Sequence, residues 1–181
     1  MPRPPRPRLP PCHAAAAAAL LASLTSGCTA YSVETARTPT LHPFAPPPAG
    51  HGEICVVRPH VTGMLAVAVV HDNDVLVGAT RGPTYFCYLA APGSHRVTST
   101  YGDDIDRELG TDVVAEASVV VAAGSRHYLH QDVRTALSMS VAWVDEGTAR
   151  RMIDDCSPAR LGAVPGSQAL PPPVPLAPGA P

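Results

Sequence analysis

Between Ile54 and Trp143 the chain is a succession of apolar runs too short for helices, each cut by proline, glycine, aspartate or asparagine, and few folds tolerate that rhythm. Ile54-Cys55-Val56-Val57-Arg58 stops at Pro59, which has no N–H to give to a ladder. Residues 64–70 and 75–77 flank His71-Asp72-Asn73-Asp74, whose side chains suit a tight hairpin turn. After Gly82-Pro83 comes the densest aromatic run, Tyr85-Phe86-Cys87-Tyr88-Leu89, closed by Pro92-Gly93, where glycine permits the positive φ of a type II turn. Residues 95–101 return as a strand, followed by a polar loop over 102–110. Runs at 113–123, 126–133 and 139–143 complete the set, the last two with period two. The period changes only over 145–156, where Ala149, Met152, Ile153 and Cys156 share one helical face. Asp145 or Thr148 can cap that helix, and Pro158 stops it. The expected fold class is all-β: a small antiparallel β-sandwich with one short C-terminal α-helix.

The flanks read differently. Residues 28–51 are polar and then proline-rich, with Pro46-Pro47-Pro48 predicting an extended, semi-rigid spacer that lifts the domain off a membrane. Residues 162–181 contain Pro171-Pro172-Pro173 and no charge, the composition of a disordered tail. The domain is thus expected over residues 52–161. Ahead of it, Arg3, Arg6 and Arg8 precede an apolar run over 14–24, the charged-then-apolar order of an export signal over residues 1–27. That run is shorter than the roughly 20 residues needed to span hydrocarbon. Leu24-Thr25-Ser26-Gly27-Cys28 resembles the lipobox of bacterial lipoproteins, which implies cleavage before Cys28 and acylation of its thiol. Thr29 in place of aspartate favours the outer membrane of the cell envelope, by resemblance to lipoprotein sorting signals.

Charge narrows the partners. The 181 residues carry a net charge of −2, and loss of Arg3, Arg6 and Arg8 with the signal takes this to −5. Such a surface does not seek phosphate backbones, so no nucleic-acid partner is expected. With Cys12 removed and Cys28 acylated, the domain keeps Cys55, Cys87 and Cys156. In an oxidising compartment two of them can form a disulfide, and all three pairings are open, as is a reduced, buried state for all three.

The order Val56-Val57-Arg58-Pro59, then Gly82-Pro83-Thr84-Tyr85-Phe86, then Leu89-Ala90-Ala91-Pro92-Gly93-Ser94-His95, then Ala123-Gly124-Ser125-Arg126-His127-Tyr128-Leu129, then a helix with Cys156, resembles the DUF2846 family. These are bacterial, often lipid-anchored proteins similar in their hairpin and Pro-Gly-x-His turn to PEGA-type β modules. The resemblance covers about residues 52–157 and implies the β fold, with no catalytic residue to carry over.

Chemistry is sparse. His127 and His130, three apart on a strand, point to opposite faces and cannot chelate one ion without a bulge. His71 beside Asp72 and Asp74 is explained by turn formation. Asp103, Asp104, Asp106 and Glu108 have calcium-loop composition, but Leu109 stands where the sixth-position glycine is needed. No metal and no cofactor are therefore expected. Ser94 and His95 are neighbours with no base placed for the serine, and no catalytic residue is assigned. The expectation is a lipid-anchored envelope protein of structural or binding type, its partners the membrane through covalent lipid and an envelope protein. The alternative is a glycan- or peptide-binding module in which Tyr85 and Tyr88 present an exposed aromatic strand.

Overall fold

The computed structural model describes residues 31–102, 114–135, 138–163 and 176–180. The lipobox ending at Cys28 and the acidic loop of Asp103, Asp104, Asp106 and Glu108 lie outside the described residues. In chain order the elements are β1 (Tyr31–Thr35), β2 (Gly52–Arg58), β3 (Val67–Asp72), β4 (Val75–Arg81), β5 (Thr84–Ala90) and β6 (Gly93–Tyr101). They continue with β7 (Val114–Val121), β8 (Arg126–Thr135), β9 (Ser138–Val144), α1 (Glu146–Ile153), β10 (Ser157–Ala163) and β11 (Leu176–Ala177). One sheet has the order β1-β10-β5-β2-β8-β9, with β11 alongside β5; the other has the order β4-β3-β6-β7. Among the described residues the fold is an all-β sandwich with one short helix. Most neighbours are antiparallel, while β8 beside β2, and β10 and β11 beside β5, are parallel.

Between the sheets, Ile54, Val56, Phe86, Tyr88 and Leu129 meet Val70, Val77 and Val97. Each such side chain contributes roughly 1.5–3 kcal/mol through burial. A second layer lies on the outer face of the larger sheet, where Cys55, Val57, Tyr85, Cys87 and Tyr128 are covered by Ala149 and Ile153 of α1. Strand β2 is therefore enclosed on both sides, and all seven of its residues are buried. That explains its unbroken apolar run, since alternation appears only where one face meets water. Helix α1 opens on Asp145, whose Oδ1 accepts from Thr148 N at 2.9 Å. In the β3–β4 turn Asn73 and Asp74 both have positive φ, 47° and 66°, as a two-residue type I′ hairpin turn requires.

The proline-rich flanks depart from expectation. Tyr31–Thr35 is not part of a free spacer but an edge strand, paired antiparallel with β10 from Tyr31↔Ala163 to Thr35↔Ala159. Beyond it the chain straps the outer face: Leu41 and Phe44 pack on the α1 layer, and the Tyr128 hydroxyl donates to Pro43 O at 2.9 Å. The Arg150 guanidinium sits 3.9 Å from the centre of the Phe44 ring. Prolines keep this strap out of the sheet without keeping its apolar side chains in water. At the other end, β10 pairs with β5 only at Ser157↔Thr84 and Pro158↔Tyr85. The edge left open is filled by β11, at Leu176↔Leu89 and Ala177↔Ala90, and Ala180 bridges to Ser94. The tail is thus ordered over 176–180. Gly179 permits it, since a Cβ there would come within 2.4 Å of Pro92 O.

Candidate functional site

The ligand-binding alternative rests on the aromatic strand β5. Tyr85 and Tyr88 stand on opposite faces of β5, and both are buried, Tyr85 under α1 and Tyr88 between the sheets. Tyr88 donates to Asp72 Oδ2 at 3.0 Å. There is no exposed aromatic platform on this strand; its residues are core because β5 is covered on both sides. The notion of Tyr85 and Tyr88 as ligand contacts is corrected accordingly.

Cys55 and Cys87 are directly opposite in the β2–β5 ladder and form a disulfide, leaving Cys156 free. Burial, with the nearby Asp155 carboxylate, pushes the Cys156 thiol up to about 11. At neutral pH it is therefore protonated and a weak nucleophile toward the bridge. Among the described residues the one trio of His, Cys, Asp or Glu ligand atoms lying within 4.8 Å of one another is Glu53, Cys55 and Cys87. Its sulfurs are joined to each other and its carboxylate is held by Arg126 at 3.0 Å.

The histidines separate. His127 lies against Trp143 and near the Ser125 hydroxyl, whereas His130 lies against His60, with ring centres 6.0 Å apart. Burial lowers both pKa values; His95 adds to this for His127 and His60 for His130, while Asp132 opposes it for His130. Below pH 6.5 the unfolded imidazoles take protons that the folded ones refuse. Stability from these groups is thus present at neutral pH and falls as pH drops through that value. Glu53 and Asp72, raised by burial, act in the reverse sense and lose their contribution as pH rises through their folded values. A His130→Gln variant isolates one of these effects. Its melting temperature should fall less than that of the wild type between pH 7.5 and 5.5, and parallel thermal melts would show it.

Sequence reasoning missed the buried polar groups, among them one at each end of the sandwich. Asp72, at the end of β3, accepts at Oδ2 from the Tyr88 hydroxyl and faces His95 Nδ1 at 2.7 Å, while His95 Nε2 faces Ala91 O at 2.7 Å. Both ring nitrogens are engaged, so neither is free to act on the neighbouring Ser94 hydroxyl. The group instead ties the two sheets to the β5–β6 turn. The signal for it was the alternation His95, Val97, Ser99, Tyr101, all buried, which places His95 on the core face.

The second is Arg58, the last residue of β2, fully buried. Its Nη1 donates to Ala66 O at 2.9 Å and its Nη2 to Gly63 O at 2.7 Å. Burial lowers its pKa, yet an arginine stays charged at neutral pH. Two backbone bonds, Met64 N to Val61 O and Ala66 N to Gly63 O, tighten the same loop. These bonds shape the loop over 59–66, on which Val61, Met64 and Leu65 are exposed by 65, 56 and 76%. Among the described residues, Val61, Met64 and Leu65 are three of the large apolar side chains left in water. Nothing in the sequence distinguishes Arg58 from a surface cation. No protein-family model, curated protein or solved structure matches the chain.

Proposed function

We propose that this is a lipid-anchored cell-envelope protein of binding type, held by acyl chains on Cys28, which engages an envelope protein through the 59–66 loop. The observation that carries the binding role is the Arg58 clamp: a buried charge bonded to two loop carbonyls, holding Val61, Met64 and Leu65 in water. A loop ordered before it binds loses little entropy on binding, which favours affinity. The lipobox-like 24–28 segment supports the anchor, and diacyl attachment with a second acylation supplies more than the one chain that gives only marginal binding. Thr29 supports the outer membrane as the address. The order of turns shared with the DUF2846 resemblance is part of the same proposal. A non-catalytic role is supported by the Asp72–His95 pair, whose ring nitrogens serve the fold.

The test is co-purification from crosslinked envelope membranes with the lipid retained, comparing wild type with a Met64→Asp/Leu65→Asp variant. Because both side chains are exposed, the variant should melt within about 0.5 kcal/mol of wild type. It should recover its partner about tenfold less well, the scale of a lost apolar anchor. Equal recovery would remove the loop from the proposal.

A further inference from the structure

The anchor and the fold together fix an orientation. Strand β1 begins at Tyr31, three residues after Cys28, and three extended residues reach at most about 11 Å. Strand β10 starts beside Thr84 and runs parallel to β5, and β1 runs antiparallel to β10. Tyr31 therefore opens β1 toward the end of the sandwich where β5 finishes at Ala90. The same end gathers the turns at 73–74, 91–92 and 122–125 and the segment 178–180. Asp74 is the one charged residue in these segments; Arg96, just beyond them, pairs with it at 3.1 Å and with Glu116 at 3.7 Å. Around the turns Val75, Val120 and Leu176 are exposed. The opposite end presents Arg81, Arg134 and the 59–66 loop.

We propose that this turn end rests on the bilayer surface, with the 59–66 loop pointing away from it. The inference rests on the acylation of Cys28 proposed above. A short tether prevents the domain from standing off. An end whose exposed charges Asp74, Arg96 and Glu116 pair among themselves, beside three exposed apolar side chains, can enter the headgroup region, where apolar groups sit about 5–10 Å deep while charges stay hydrated. It also assigns a use to residues that a long spacer would leave unexplained.

The experiment uses the full chain produced in a bacterium that processes lipoproteins, purified from its membranes and returned to vesicles of phosphatidylethanolamine and phosphatidylglycerol, part of it with brominated acyl chains. Two variants, Ala123→Trp and Leu65→Trp, each carry Trp143→Phe to clear the background, and intact mass reports the acyl groups on Cys28. With acyl mass present, bromine should quench Ala123→Trp at least roughly twofold more than Leu65→Trp. Acyl mass present with equal quenching, or with stronger quenching at Leu65→Trp, overturns the orientation and leaves the anchor standing. Absence of acyl mass overturns the anchor and the orientation together.

Discussion

Asp72→Ala is expected to destabilise the domain by about 2–4 kcal/mol, the cost of leaving two buried polar groups without the acceptor they share. The reason is the arrangement left behind. His95 keeps its bond to Ala91 O, but its Nδ1 then faces a vacated space with no solvent, and the Tyr88 hydroxyl loses its acceptor. For a domain of this size that corresponds to a fall of roughly 10 °C in melting temperature. Tyr88→Phe, which removes one donor and leaves the pair intact, should cost only about 1 kcal/mol. Calorimetry on the two variants gives the comparison. If Asp72→Ala melts within about 1 kcal/mol of wild type, the pair is not what joins the sheets at this end.

The second large effect is that of the disulfide. Replacing Cys55 and Cys87 together with alanine should lower stability by about 3–4 kcal/mol, from the loop entropy that a bridge across a sequence separation of 32 removes from the unfolded chain. Denaturant titration of wild type in the presence of reductant should approach the same midpoint, because unfolding exposes the bridge that α1 covers. Reductant that leaves the wild-type midpoint unmoved would show that the bridge adds nothing.

The expectation of an all-β sandwich with a terminal helix was legible because the apolar runs carry their own punctuation. Pro59, Asn73-Asp74, Pro92-Gly93 and Gly124 each end a strand by a mechanism local to a few residues. Pairing is not local, so Cys55 facing Cys87 depended on the adjacency of β2 and β5, which no periodicity encodes. The same limit misread Tyr85 and Tyr88, since a half-covered and a fully covered strand can share one composition until the second layer is known. Strands β1, β10 and β11 hold five, seven and two residues, and proline-rich composition surrounds two of them. Their stability comes from the edges they complete. Arg58 was the least legible of all, because the carbonyls that bind it belong to a loop shaped partly by Arg58 itself.

The pairing of β1 with β10 bears on how the molecule is made. Ser32 and Gly162 meet although 130 positions separate them, and Arg126 reaches Glu53 across 73. Such high contact order slows folding, because the entropy of closing long loops is lost before the contacts that compensate it can form. On a ribosome the first strand has no companion until nearly the whole polypeptide has emerged. The β3–β4 hairpin, by contrast, can close once Arg81 has emerged, so β1 waits beside a sandwich that is already largely assembled.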